Sequence, residues 1–158
     1  MWNRIKPYVI STLISLGVGA LAAWLTRENM DIYETVTTPP LSPPGWLFPV
    51  VWTILYILMG VGSAIIYKKG KTDGINTKAA LDVYLLQLTV NFIWSIVFFN
   101  MRLYLQAFLW LIFLWALIIV MIKRFYTIDK TAAKLQIPYL LWVTFAGYLN
   151  FAIWLMNR

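Results

Sequence analysis

The sequence predicts an all-α membrane protein, a five-transmembrane-helix bundle in a single domain of 158 residues. Its composition is 61% hydrophobic and 12% charged, whereas soluble domains carry about 25% charged residues. Five uncharged runs can each supply the roughly 20 apolar residues that a bilayer crossing needs. Because the sequence lacks the alternating pattern of a membrane β-barrel, helices are expected. The predicted helices cover residues 6–26, 45–68, 79–101, 103–124 and 133–157, with a long loop at 27–44.

The first helix carries small residues on one face, Ser11, Ser15, Gly19 and Ala22, a pattern that suits close packing against another helix. The same segment resembles a secretory signal peptide, because basic residues precede its apolar run. The run is longer than the core of about 7–15 residues in such peptides. A helix that stays in the mature protein is therefore favoured over a cleaved leader.

A proline-rich segment leads into the second helix, with five prolines between positions 39 and 49. Proline fixes φ and lacks a backbone donor, and it holds the preceding residue in extended geometry. The segment is therefore expected to be stiff and to place Trp46, Trp52 and Tyr56 at the mouth of the helix. Such a cap suits a flat apolar ligand better than it suits a packed core.

The third helix carries a polar stripe on one face, formed by Gln87, Asn91, Trp94 and Ser95. Spacings of four, seven and eight residues keep them together, and polar side chains within a bilayer turn toward the bundle interior. Near the start of this helix, Asp82 is expected to pair with Lys78 at the interface rather than relay protons. The fourth helix is apolar all round, which predicts a peripheral, lipid-exposed position.

The fifth helix repeats the stripe with Trp142, Ala146, Leu149 and Asn150. Pro138 precedes them and is expected to kink the helix by freeing the carbonyl of Lys134. Asn91 and Asn150 have an alternative role, because amides often join helices with no ligand involved. Tryptophans near helix ends are expected to anchor the protein at the membrane interface. These are Trp2, Trp24, Trp46, Trp110 and Trp154.

Charge placement predicts the orientation of the helices. Ten of the thirteen basic residues lie in the N-terminal segment and in the loops after the second and fourth helices. The positive-inside rule then places the N-terminus in the cytoplasm and the C-terminus outside. The net charge of +7 is thus a topology signal, and no nucleic-acid partner is expected.

The sequence contains no Cys and no His. This excludes disulfides, thiolate nucleophiles and Ser–His triads, and it removes the usual ligands of zinc and iron–sulfur sites. We therefore expect neither a metal site nor a bound cofactor.

The chain resembles the translocator protein family, also called tryptophan-rich sensory proteins or peripheral benzodiazepine receptors. The similarity extends over nearly the whole length. The matching motifs are SPPGW at 42–46, VWTILYILMG at 51–60, NFIW at 91–94, FF at 98–99, Arg102, PYLLWVTFA at 138–146 and LN at 149–150.

The resemblance implies a bundle, often a homodimer, with a pocket under the first long loop. Members bind porphyrins, above all protoporphyrin IX, and synthetic isoquinoline carboxamides and benzodiazepines. Carried over by position, the ligand-binding residues are Tyr33, Pro43, Pro44, Trp52, Asn91, Trp94, Trp142, Ala146 and Leu149. Trp52 and Trp142 match the tryptophans implicated in light-dependent porphyrin breakdown.

Two positions depart from the pattern of animal members. Leu41 stands where a tryptophan is usual, and Phe151 stands where the cholesterol motif needs a tyrosine. Cholesterol recognition is therefore not predicted, since such motifs are weak even when complete.

The resulting expectation is a receptor or sensor in a bacterial plasma membrane that binds porphyrins and related apolar aromatic ligands. A transporter of tetrapyrroles is the main alternative. A photochemical enzyme is a third, and the sequence favours no catalytic residue beyond Trp52 and Trp142.

Overall fold

The computed structural model describes the backbone of residues 1–158 and every side chain except that of Tyr33. Within these residues the chain forms five helical segments long and apolar enough to cross a membrane, and no β-strand. The predicted fold class is therefore confirmed. The elements are α1 (Trp2–Thr26), α2 (Ile32–Thr35), α3 (Leu47–Asp73), α4 (Lys78–Ser95), α5 (Tyr104–Tyr126), α6 (Lys130–Lys134) and α7 (Ile137–Asn157).

Helix α1 packs closely against α3 through small residues. The Ser15 hydroxyl donates a hydrogen bond to the Tyr56 carbonyl over 2.6 Å. Gly19 lies under the Tyr56 ring, and Gly60 lies against the backbone of Thr12 so closely that a Cβ there would overlap it. The small face predicted for the first helix thus allows the two backbones to approach, as is usual where lipid provides no hydrophobic drive for helix association.

The C-terminal end of α4 departs from a regular α-helix. Residues Ile96–Asn100 form a π-helical turn, and Arg102 follows with a φ of 53°. Asn100 donates a hydrogen bond to the Leu25 carbonyl at 3.0 Å and accepts one from Asn29 at 2.8 Å. The wide turn is therefore fixed to the end of α1. Such turns occur frequently at functional sites.

Helix α5 exposes one face, as expected for a peripheral helix, and packs into the bundle with the other. One face, which includes Leu114 and Ile118, is fully buried, and the helix packs on both α4 and α7. Trp110 donates to the Val90 carbonyl at 2.8 Å, and Trp115 donates to the Thr144 hydroxyl at 3.0 Å. Hydrophobicity alone does not distinguish the two faces of this helix, because a lipid tail and a neighbouring helix are similarly apolar.

The kink predicted at Pro138 is wrong, because Pro138 does not lie within a continuous helix. The helix is interrupted at residues 135–136, between α6 and α7, and Pro138 lies in the first turn of α7. A first-turn proline removes no helical hydrogen bond, since that donor has no partner in any case. Asp129 caps α6 by accepting from the Ala132 amide at 2.9 Å, and Gln136 donates to the Leu58 carbonyl at 3.1 Å.

The basic end of the bundle has the expected interfacial charges. Lys78 and Asp82 form a salt bridge of 2.6 Å on the exposed surface of α4, as predicted. Lys69 lies 3.8 Å from Asp129 and so connects α3 to the start of α6. Exposed pairs of this kind stabilise a protein by only about 0–1 kcal/mol. Their main relevance is to orientation in the membrane.

Candidate ligand-binding site

A cavity of about 580 Å³ lies among α1, α3, α4 and α7 at the end of the bundle where the proline-rich loop crosses it. Its volume falls within the range of about 300–1,000 Å³ that is typical of small-molecule sites. Most of the wall is apolar, as such sites usually are. The loop contributes Ser42, Pro43, Pro44 and Gly45 to the wall.

The loop is fastened over the cavity by hydrogen bonds to α7. The Asn157 side chain donates to the Thr37 carbonyl and accepts from the Thr37 amide, each over 2.9 Å. The Tyr148 hydroxyl donates to the Pro40 carbonyl over 2.7 Å. Leu41 adopts a φ of 70° at the tip, so the chain reverses there. The loop is therefore a lid with fixed anchor points.

Aromatic side chains from different helices form the wall beneath the lid. The ring of Trp52 on α3 lies 6.5 Å from that of Trp94 on α4 and 5.8 Å from that of Tyr56. Trp142 on α7 lies 5.8 Å from Phe48. Aromatic rings at these distances attract each other beyond their burial alone. The result is a set of flat surfaces that suits a flat ring system.

The indole donors of the wall differ in their partners. Trp94 donates to the Asn150 side chain over 3.1 Å, and Asn150 donates in turn to the Tyr104 carbonyl over 2.8 Å. Asn150 therefore joins helices, which is the alternative role considered for it. The Trp142 Nε1 is buried and has no hydrogen-bond partner among the described residues. Trp142 lines the cavity, but this nitrogen is covered by neighbouring protein atoms.

A buried polar layer closes the bundle below the cavity. The Tyr139 hydroxyl donates to Gln87 Oε1 over 2.7 Å and accepts from Asn91 Nδ2 over 3.0 Å. All three side chains are at most 1% exposed. The Asn91 Oδ1 lacks a partner within the part of the chain that the structure describes. Asn91 and Tyr139 each lie three residues before a tryptophan of the wall, Trp94 on α4 and Trp142 on α7.

Most of the predicted site residues lie together in the wall. Those that line the cavity are Pro43, Pro44, Trp52, Trp94, Trp142, Ala146 and Leu149. Asn91 lies in the polar layer below, where it bonds to Tyr139, so a ligand contact for it stays a prediction. The side chain of Tyr33 falls outside the described residues.

Sequence reasoning missed the contribution of α1 and of the segment after it. Gly19, Ala22, Ala23 and Thr26 line the cavity, although the first two were assigned to helix packing alone. Their small size was the available signal, since small residues leave space as well as permit contact. Phe99 also lines the cavity. It lies in the π-helical turn, and no sequence pattern indicated that turn.

Glu34 also lines the cavity and was not predicted. It lies in α2, is exposed to solvent, and follows Asp31 and Glu28 in the same segment. Ala23 and Pro49 line the cavity and are exposed as well. The mouth of the cavity therefore lies between the C-terminal end of α1 and the N-terminal end of α3, with a carboxylate at its edge.

Comparison with known proteins agrees with this architecture. The model of the TspO/MBR family matches residues 11–155. A "Tryptophan-rich protein TspO" from Chlorobaculum tepidum is 40% identical, with 99% of each chain covered. A protein of the same name from Archaeoglobus fulgidus is 37% identical over 98% of this chain and 99% of its own. The "Translocator protein" of Bos taurus is 35% identical over 96% of this chain and 90% of its own. The chain is therefore an integral membrane protein that belongs to the TspO/MBR family.

Proposed function

We propose that this protein binds flat apolar aromatic ligands, protoporphyrin IX in particular, in the cavity beneath the lid, and acts as a receptor or sensor for them. The observation that carries the proposal is the meeting of Trp52, Trp94 and Trp142 around one cavity of about 580 Å³. Tryptophan faces stack on flat rings and bring a large contact area. The fastened lid excludes water from one edge of that contact.

A metal-free porphyrin is the preferred tetrapyrrole. The sequence contains no His and no Cys, the side chains that most often hold haem iron from the axial position. Affinity for the ring would then come from stacking on the tryptophan faces of the wall. We expect a dissociation constant in the micromolar range, which corresponds to about −8 kcal/mol.

Light-dependent breakdown of the bound porphyrin is the chemical activity that the site would support. Trp52 and Trp142 lie in the cavity wall, so their indoles would contact the ring directly. The reaction requires bound porphyrin, light and oxygen, with electron-rich indoles nearby. Breakdown would accompany sensing and does not require a general acid or base.

The test is titration of the purified protein with protoporphyrin IX. Binding is monitored in the dark by tryptophan fluorescence, and porphyrin loss is monitored under light by porphyrin absorbance. The double variant Trp52→Phe/Trp142→Phe should slow the light-driven loss of porphyrin more than it weakens binding, since phenylalanine keeps a stacking face. Trp2→Phe and Trp46→Phe are matched controls, because both tryptophans are exposed and lie outside the described wall. Unchanged photochemistry in the double variant removes these residues from the mechanism, and failure to bind refutes the proposal.

Transport of tetrapyrroles is the second candidate, and the polar layer argues against it. Gln87, Asn91 and Tyr139 fill the bundle centre below the cavity. A ligand crossing the membrane would have to break this layer. Porphyrin uptake into proteoliposomes at a rate above that of empty liposomes would favour transport over sensing.

We infer an orientation with the N-terminus in the cytoplasm of a bacterial cell and the C-terminus outside, from the basic residues in the segments around Arg4, Lys69 and Arg124. The lid and the cavity would then lie at the outer face of the plasma membrane. A reporter fused after Arg158 should be active only if it functions outside the cytoplasm. A homodimer is expected from the family resemblance, and cross-linking in membranes tests it.

A further inference from the structure

The wall of the cavity carries a negative charge. Glu34 lines the cavity where it opens to solvent, and it is the one formally charged side chain among the described residues of the wall. Glu28 and Asp31 lie nearby in the chain but are not in the wall. Any ligand whose polar edge points toward the mouth therefore meets a carboxylate.

Three arginines, Arg27, Arg102 and Arg158, lie at the same end of the bundle as Glu34, and none of them belongs to the described wall. The Arg27 guanidinium donates to the Trp24 carbonyl over 2.6 Å and lies 4.4 Å from the centre of the Trp24 ring. The Arg158 guanidinium lies 5.7 Å from the ring of Trp154. The charge of Glu34 is therefore not neutralised within the cavity by these arginines.

We propose that Glu34 tunes the affinity of the cavity for the edge of its ligand, so that a porphyrin with free carboxylates still binds through its ring but binds more weakly than its neutral ester. Like charges at the mouth repel, and the solvent there screens the repulsion only in part. The inference rests on the proposed porphyrin binding, since it concerns the same cavity. A porphyrin with free carboxylates binds through its ring and is opposed by Glu34 at its acidic edge.

The experiment compares protoporphyrin IX with its dimethyl ester, which has the same ring and no charged edge. Dissociation constants are measured by tryptophan quenching in uncharged detergent micelles. The readout is the dissociation constant of the acid divided by that of the ester. Partition of each porphyrin into micelles is the same for all variants and cancels in the comparison. We expect Glu34→Gln to lower the ratio roughly 3- to 10-fold at low ionic strength, and the effect to shrink at about 0.5 M salt.

Glu28→Gln is the matched control. It removes the same charge from an exposed position in the same segment, outside the described wall, so the ratio should stay as in the unmodified protein. Glu34→Lys should lower the ratio further than Glu34→Gln. An unchanged ratio in both Glu34 variants, with the ester still bound, overturns the role of Glu34 and leaves porphyrin binding intact. An equal change in Glu28→Gln also overturns it, and failure of both porphyrins to bind overturns both proposals.

Discussion

The Tyr139 hydroxyl joins α7 to α4 at the centre of the bundle, and its removal tests what the polar layer does. The change Tyr139→Phe keeps the ring, which lies 6.3 Å from that of Trp52, and deletes one oxygen. That oxygen donates to Gln87 over 2.7 Å and accepts from Asn91 over 3.0 Å. The residue is fully buried, so water does not replace it.

The expected cost follows from these two bonds. Hydrogen bonds between membrane helices average about 0.6 kcal/mol and reach about 1.7. A buried polar group left without its partner costs about 1–3 kcal/mol. Because Asn91 Oδ1 already lacks a partner among the described residues, the variant would leave that amide without a hydrogen bond. We expect the free energy of unfolding to fall by about 2 kcal/mol, which lowers the melting temperature by about 4–8 °C.

The assay measures the melting temperature and the porphyrin affinity of the same purified variant. Affinity should change less than about twofold, since Tyr139 is not in the described wall and a twofold change is about 0.4 kcal/mol. Tyr126→Phe is the control, because it makes the same change at an exposed hydroxyl. A tenfold loss of affinity at an unchanged melting temperature would refute the reasoning. The polar layer, and Asn91 with it, would then belong to the ligand site.

Three further changes probe the wall, the lid and the packing of the bundle. Ala146→Phe should fill part of the cavity and weaken porphyrin binding about 5- to 150-fold; a lower melting temperature with unchanged affinity would mean that Ala146 only packs against a helix. Asn157→Ala should remove both hydrogen bonds to Thr37 and raise the porphyrin dissociation rate about 5- to 30-fold, since about 1–2 kcal/mol that stabilises the closed lid is lost. Stopped-flow quenching measures the dissociation rate, and an unchanged rate would show that this anchor does not limit release. Gly60→Ala should destabilise the protein by about 1–3 kcal/mol because the new Cβ meets the backbone of α1. Gly17→Ala is the control, because there is open space around Gly17, and equal melting temperatures for the two variants would contradict the close packing of α1 on α3.

The number of crossing helices, their approximate bounds and the stiff loop could be predicted from the sequence. These properties are local. A run of about 20 apolar residues is enough to favour a crossing helix, and the prolines restrict the loop wherever it lies. The inward faces that carry Trp94 and Trp142 could also be predicted, because polar and aromatic residues at helical spacing share one face of a helix. Both residues do line the cavity.

Three features could be seen only in the folded protein: which apolar faces pack together, where the last helical segment is interrupted, and what each side-chain amide contacts. In a bilayer the inside and the outside of the bundle are similarly apolar, so the buried face of α5 carries no distinguishing pattern. Asn91 contacts Tyr139, which lies 48 residues further along the chain, and Glu34 lines the same cavity as Trp142 of α7. Such placements depend on contacts between residues far apart in the chain, which local spacing does not encode.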